Sequence, residues 1–316
     1  MTGPIQTIAL GGEDVGARWR RRLLGAAIMA ATRPVMNHRV PLGFKRAATD
    51  VLGRLSAPVA ASVTVDEVVL GGRRTWKMTP PGAASDSAVL FLHGGGYAFG
   101  GLGSHGGAAS ELARRMGVTT YMPDYRLRPE HPNTAPLQDA RAAYLELLEH
   151  LEPSGIVVTG DSAGGGLSLA LAQSCLLERT PLPAALALHS PWVDADPETS
   201  GQRRPDAILG RGSMRPDAER WIDGDDPALP HLSPLHGTMA GLPATFVQWG
   251  MGEALEHDAA RLVSALHAAG VDVVGEQYVG LWHTAHLHVG RPRLGGLLES
   301  GLWLGRTADF LGGHLH

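Results

Sequence analysis

The chain has 316 residues, a formal net charge of -4, and 44% hydrophobic against 18% charged residues. That balance supplies a large core and excludes a disordered chain, a fibre and the overall basic excess of a nucleic-acid binder. The single cysteine, Cys175, excludes an intramolecular disulfide, and without an apolar run of about 18 residues no membrane span is expected.

Residues 1–50 read as helical and arginine-rich. The run Arg20-Arg21-Arg22 before a mostly apolar stretch to Ala31 resembles the start of a secretory signal. Glu13 and Asp14 ahead of it, and Arg33 and Arg39 behind it, favour an amphipathic surface helix and a cytoplasmic protein. Residues 63–70 and 73–78 favour extended structure, with Gly71-Gly72 as a hairpin turn. Short continuous apolar runs follow at 88–92, 118–122, 155–159, 184–188, 244–249 and 271–278. Runs without in-and-out alternation imply a sheet covered on both faces. Helical patterns lie between and after them at 104–116, 137–151, 163–177, 258–269 and 294–311. The expected fold class is α/β, a mostly parallel central sheet flanked by helices. Residues 194–226 break this rhythm, being polar with scattered Gly, Pro and Arg, as a functional insertion such as a lid would be.

The strongest chemical signal is Gly160-Asp161-Ser162-Ala163-Gly164. It reads G-x-S-x-G and falls where the strand at 155–159 turns into the helix at 163–177. In that context the glycines permit a sharp strained turn that lifts the Ser162 hydroxyl clear, and the helix N-terminus favours developing negative charge. A phosphate loop would need a Lys and a Ser/Thr that are missing. His93-Gly94-Gly95-Gly96-Tyr97 follows the strand at 88–92, so the N–H groups of Gly94, Gly95 and Gly96 are candidates to hold a substrate oxyanion.

A hydroxyl nucleophile needs a base, and the base an acid, in the order Ser, acid, His on this type of sheet. Of the histidines after Ser162, His283 stands in a short loop just past the last expected strand. His286 and His288 beside it raise a metal-site alternative, for which no further ligands complete a set. Glu253, Glu256 and Asp258 all qualify as the acid by type. Glu253 lies nearest the end of the strand at 244–249, whereas the other two suit the start of the next helix.

With these residues on view, the chain resembles the bacterial hormone-sensitive-lipase-like esterases, marked by HGGG and GDSAG. The likeness runs from about residue 63 to 311. Its motifs are His93 to Gly96, Asp124-Tyr125-Arg126-Leu127 with Pro129-Glu130-His131, Gly160 to Gly164, Ser190-Pro191-Trp192-x-Asp194, Ser233-Pro234 and Trp282-His283. The resemblance implies an α/β-hydrolase fold with a helical cap, Ser162 as nucleophile, His283 as base, and oxyanion donors from Gly95, Gly96 and Ala163. The family's acid pattern G-x-x-E-x-L-x-x-D fits Gly250, Glu253, Leu255 and Asp258. Residues 1–50 and 194–226 then form the cap, and 51–193 and 227–316 the core. Two departures, Arg128 where the family usually has Ala and Asn133-Thr134 where Phe-Pro is common, bear on local packing.

The expected substrate is a small carboxylic ester of short to medium acyl chain, with no cofactor, metal or nucleic acid, and a homodimer is a further implication of the resemblance. Tyr97, Phe99, Asp161, Trp192 and Leu281 are expected around the substrate, Asp161 also bracing the oxyanion loop or the cap. Asp124, Arg126 and Glu130 read as a bracing ion-pair network, Cys175 as an inert core thiol, and Arg203, Arg204, Arg211 and Arg215 as solvated cap surface. Alternatives are a lactone or amide hydrolase with the same triad, or a non-catalytic small-molecule receptor on the same fold.

Overall fold

The structure, a computed structural model, describes residues 4–9, 15–37, 39–202, 205–210, 214–289 and 298–316. The strands are β1 Ile5–Ile8, β2 Thr64–Leu70, β3 Arg73–Thr79, β4 Ala84–Leu92, β5 Val118–Pro123, β6 Ile156–Asp161, β7 Ala185–His189, β8 Ala244–Gly250 and β9 Val273–Tyr278. Among the described residues they form one sheet in the order β1-β9-β8-β7-β6-β4-β5-β3-β2. The β2–β3 hairpin and the β3–β5 pairing are antiparallel, and the other pairings are parallel. Gly71 and Gly72 make the hairpin turn with φ of 60° and 71°, the doubly positive turn that matches strand twist.

The helices are α1 Val15–Met36, α2 Leu42–Ser56, α3 Leu102–Met116, α4 Ala135–Leu148, α5 Ala163–Leu177, α6 Pro197–Gln202, α7 Met214–Ile222, α8 Glu256–Ala268 and α9 Leu298–Gly312. Alternation along β4 sorts the core into two layers. Leu90 and Leu92 join Leu169, Leu186 and Leu262 on the side of α4, α5 and α8, whereas Val89 and Phe91 join Leu112 and Leu311 on the side of α3 and α9. Both faces of the sheet are therefore covered, which is why its strands are continuously apolar. Leu169 and Leu186 are fully buried, and truncating either to Ala costs about 2–5 kcal/mol.

The sheet order also fixes where the chemistry falls. β4 lies between β5 and β6, so the strand order reverses beside β6, and a crevice opens at the carboxyl ends there. In register, Leu92 pairs with Gly160, Asp161 with His189 and His189 with Gln248. The loops after β4, β6, β7 and β8 thus leave the sheet at one level.

One expectation about the start of the chain changes. The resemblance puts residues 1–50 in a cap, yet β1 pairs parallel with β9 at the sheet edge, Ile5 opposite Gly275. Four residues with three side chains exposed carry no alternation strong enough to read. The helices that follow do lie over the crevice, and α2 continues to Ser56, past the expected boundary. Among the described residues, no helix is long and apolar enough to cross a membrane.

Candidate active site

Ser162 is the single residue between β6 and α5, and its φ of 52° and ψ of -120° are strained for a side chain with a Cβ. Its N–H donates to His189 O at 2.9 Å, and its carbonyl accepts from Trp192 N at 2.8 Å. A Cβ on Gly164 would stand 2.0 Å from Leu92 O, so only glycine lets α5 start this close to β4. The strained turn is held from both sides.

His283 and Glu253 converge on that serine. The Ser162 hydroxyl donates to His283 Nε2 at 3.0 Å, and His283 Nδ1 lies 3.4 Å from Glu253 Oε1, a long contact. Glu253 Oε2 accepts from Ser190 Oγ at 2.9 Å and Gly250 N at 2.8 Å. Burial opposes charging His283, but the hydrogen bond and charge of Glu253, followed by the charges of Asp206 and Asp161, hold its pKa above the usual 6.5. Burial pushes the Glu253 carboxyl upward, and the facing imidazole opposes that.

Asp258 stands elsewhere. Its Oδ2 accepts the N–H groups of Val193 and Asp194, both at 3.2 Å, so it anchors the segment after β7 instead of the imidazole.

The glycine loop needs one correction. Gly94 N donates to Asp161 Oδ1 at 3.1 Å and approaches His105 Nε2 at 3.2 Å, which removes it from the expected oxyanion donors. Gly95 and Gly96 face the cavity beside Ser162. Tyr125 clamps the same loop from behind, its hydroxyl donating to His93 O at 2.6 Å.

Residues 89–287 match the profile of a family described by its alpha/beta hydrolase fold. The putative acetyl-hydrolase LipR of Mycobacterium tuberculosis is 32% identical over 269 residues, covering 83% of this chain and 86% of that protein. An acetyl-hydrolase of Streptomyces hygroscopicus is 37% identical over 243 residues, covering 76% and 79%. A crystal structure of an esterase from the bacterial hormone-sensitive lipase family superposes with a TM-score of 0.85 at 31% identity, covering 96% of this chain and all of that one. The chain is a hydrolase of this hormone-sensitive-lipase-like family.

A cavity of about 330 Å³ opens over Ser162. Its walls are mostly apolar, with Ile28 and Met36 from α1, Leu52 from α2, and Leu209 and Met214 from the insertion. Phe99, Asp161 and Trp192 line it as expected from the sequence. Tyr97 and Leu281 do not. Tyr97 has a φ of 56°, which turns its ring onto Trp221 with 3.6 Å between centroids, and Leu281 packs beneath with Tyr278, Trp282 and Trp303.

The other family motifs make local pairs. Besides Gly94, Asp161 faces His105, whose Nε2 lies 3.3 Å from Oδ2; burial opposes its charge, yet His105 holds its pKa below the usual carboxylate value. Asp124, Arg126 and Glu130 do not form one network: Asp124 pairs with Arg74, Arg126 with Asp139 and Glu130 with Arg46 of α2. The two departures from the family share a purpose. Arg128 pairs with Asp223 at 2.7 Å, and Asn133 Nδ2 donates to Ile222 O and Asp225, so both fasten the end of α7.

The metal alternative disperses, because His283 faces Ser162, His286 packs on His189 and His288 packs on Trp282. Among the described residues no group of three or more His, Cys, Asp or Glu is placed to hold a metal ion. Cys175 is buried, which pushes its thiol pKa up to about 11. Arg203, Arg204 and Arg211 lie outside the described residues, and Arg215 pairs with Glu198 and Glu219.

Sequence reasoning missed Asp206 and Ser190. Asp206, in the insertion, accepts His283 N at 2.9 Å and Ala254 N at 3.2 Å on Oδ2. Its Oδ1 accepts Ile208 N and Leu209 N, both at 2.8 Å. Nothing local separates it from the insertion's other acids. Ser190 carried a signal, because it opens a family motif, and its Oγ joins Glu253 to Thr284 N at 3.2 Å.

Proposed function

We propose that this protein is a serine carboxylesterase acting on short- to medium-chain esters through an acyl-enzyme on Ser162. The observation that carries this reading is the 3.0 Å contact between Ser162 Oγ and His283 Nε2, in a cavity with an oxyanion loop at its edge. His283 takes the Ser162 proton as the oxygen attacks the ester carbonyl. The tetrahedral oxyanion is met by the N–H groups of Gly95, Gly96 and Ala163, aided by the N-terminus of α5. When the carbon–oxygen bond breaks, His283 returns the proton to the leaving alcohol. Water, deprotonated by His283, then attacks the acyl-enzyme and releases the acid and free Ser162. Glu253 orients the imidazole and balances its charge.

The volume of about 330 Å³ lies at the small end of small-molecule sites, which supports compact acyl groups. α1, α2 and the 194–226 insertion act as the cap. The test is a p-nitrophenyl ester series from acetyl to long fatty acyl chains, run with stopped-time mass spectrometry for acylated Ser162. Turnover that peaks at short or medium chains with a transient acyl adduct is expected. Binding without turnover would instead make the fold a receptor.

A further inference from the structure

The two roof helices carry a second surface that ester hydrolysis does not use. The first 56 residues hold nine arginines and lysines against three acidic residues, in a chain whose net charge is -4. By sequence the segment that forms the roof is basic and the rest of the chain carries net negative charge. Of its described cations Lys45 is buried, Arg46 pairs with Glu130 and Arg33 donates to Asp206 O.

The same helices are apolar on the outside. Trp19 and Leu23 on α1, and Phe44, Val51 and Leu55 on α2, are each more than half exposed. On α2 the spacing of 44, 51 and 55 lays the three side chains along one stripe. The other face of that helix carries Thr49, Leu52 and Ser56, which line the cavity. A helix already buried along one face needs no outer apolar stripe for folding. Large exposed apolar side chains grouped with arginines mark a surface that meets something. Arg33, Arg39 and Arg54 are themselves exposed.

We propose that the outer face of α1 and α2 docks on an anionic lipid surface. Bulky apolar side chains entering the headgroup boundary, with arginines at the phosphate level, are the chemistry of an amphipathic interfacial helix. A second copy of the chain fits this face poorly, because a two-fold dimer sets each patch against its own like charge. Docking would place the roof of the cavity at the lipid boundary, where apolar molecules concentrate. The inference does not depend on which ester is hydrolysed, since attachment is measured without turnover.

The experiment is vesicle co-sedimentation of the full chain, with phosphatidylcholine alone and with about a third phosphatidylglycerol. The protein is expected to pellet with the anionic vesicles, about tenfold less with the neutral ones, and about tenfold less again in roughly 0.5 M NaCl. The double variant Phe44→Asp with Leu55→Asp is expected to remain in the supernatant with an unchanged melting temperature. Wild-type protein left in the supernatant, equal binding to both vesicles, or undiminished binding by the variant each overturns the proposal. So does a wild-type dimer in light scattering that the double variant converts to monomer, since the face would then belong to a second copy.

Discussion

Asp206 accepts the backbone N–H of His283 at 2.9 Å, so a carboxylate from the insertion after β7 holds the loop that carries the imidazole. The same oxygen accepts Ala254 N at 3.2 Å, beside Glu253. The insertion is thereby mechanically joined to two members of the proposed triad. Burial opposes imidazolium, and the charge of Asp206 favours it, after the larger effect of Glu253 and ahead of that of Asp161. Asp206→Asn should lower turnover roughly tenfold, the equivalent of one weakened charged hydrogen bond, with little change in KM. Because the base must be neutral in the free enzyme, activity falls as pH drops through the raised pKa of His283. Removing the charge lowers that pKa, so the acid limb of kcat/KM should move to lower pH. An unmoved limb in the pH–rate profile refutes this role.

Ser162→Ala should lose a factor of roughly 10⁶ in turnover and unfold in urea like the parent. Ser162→Gly should be equally inactive but more stable by about 1 kcal/mol, because glycine relieves the strain of a φ of 52°. Urea midpoints for the three proteins separate these effects, and a glycine variant weaker than the alanine one contradicts the strain argument.

Glu253→Gln should cost on the order of 10⁴ in turnover, as loss of a triad acid does elsewhere. Asp258→Asn should leave turnover nearly intact. It should cost about 1–3 kcal/mol of stability, because its carboxylate serves two buried N–H groups. That is more than the helix-start role suggested by its sequence position. Saturating turnover and urea unfolding of both variants decide the matter, and a collapse of turnover in Asp258→Asn transfers the acid role.

Burial holds His93, His189 and His288 neutral, with pKa values down at about 4, the charge of His105 adding to the effect at His93. Unfolded histidine titrates near 6.5, so acidification protonates the unfolded chain first. Their contribution is complete above about pH 6.5 and is lost as pH falls towards 4. Burial lowers His231 and His286 as well, so the raised pKa of His283 acts alone in the opposite direction against five. Stability should therefore fall by several kcal/mol from about pH 7.5 to about pH 5. Equal denaturant midpoints at both values would exclude this balance.

Legibility followed the range of the interaction. The strands β4 to β9 and the turn at Ser162 are written locally, as apolar runs and as G-x-S-x-G between strand and helix. Glu253 was separable from Asp258 because distance from a strand end is a local quantity. Asp206 and β1 owe their positions to partners far along the chain, so no window around them carries the information. Tyr97 misled for a different reason. An aromatic beside oxyanion glycines reads as a pocket wall, and only its positive φ, a property of the folded loop, sends the ring to Trp221.

The pairing of β1 with β9 sets an order of assembly during synthesis. Ile5 leaves the ribosome before its partner Gly275, which follows about 270 residues later. Until then the leading end of α1 has no strand to moor it. The shelter over Ser162 is completed only after β9 has been made. Products cut short before β9 lack both the mooring of β1 and the loop that carries His283.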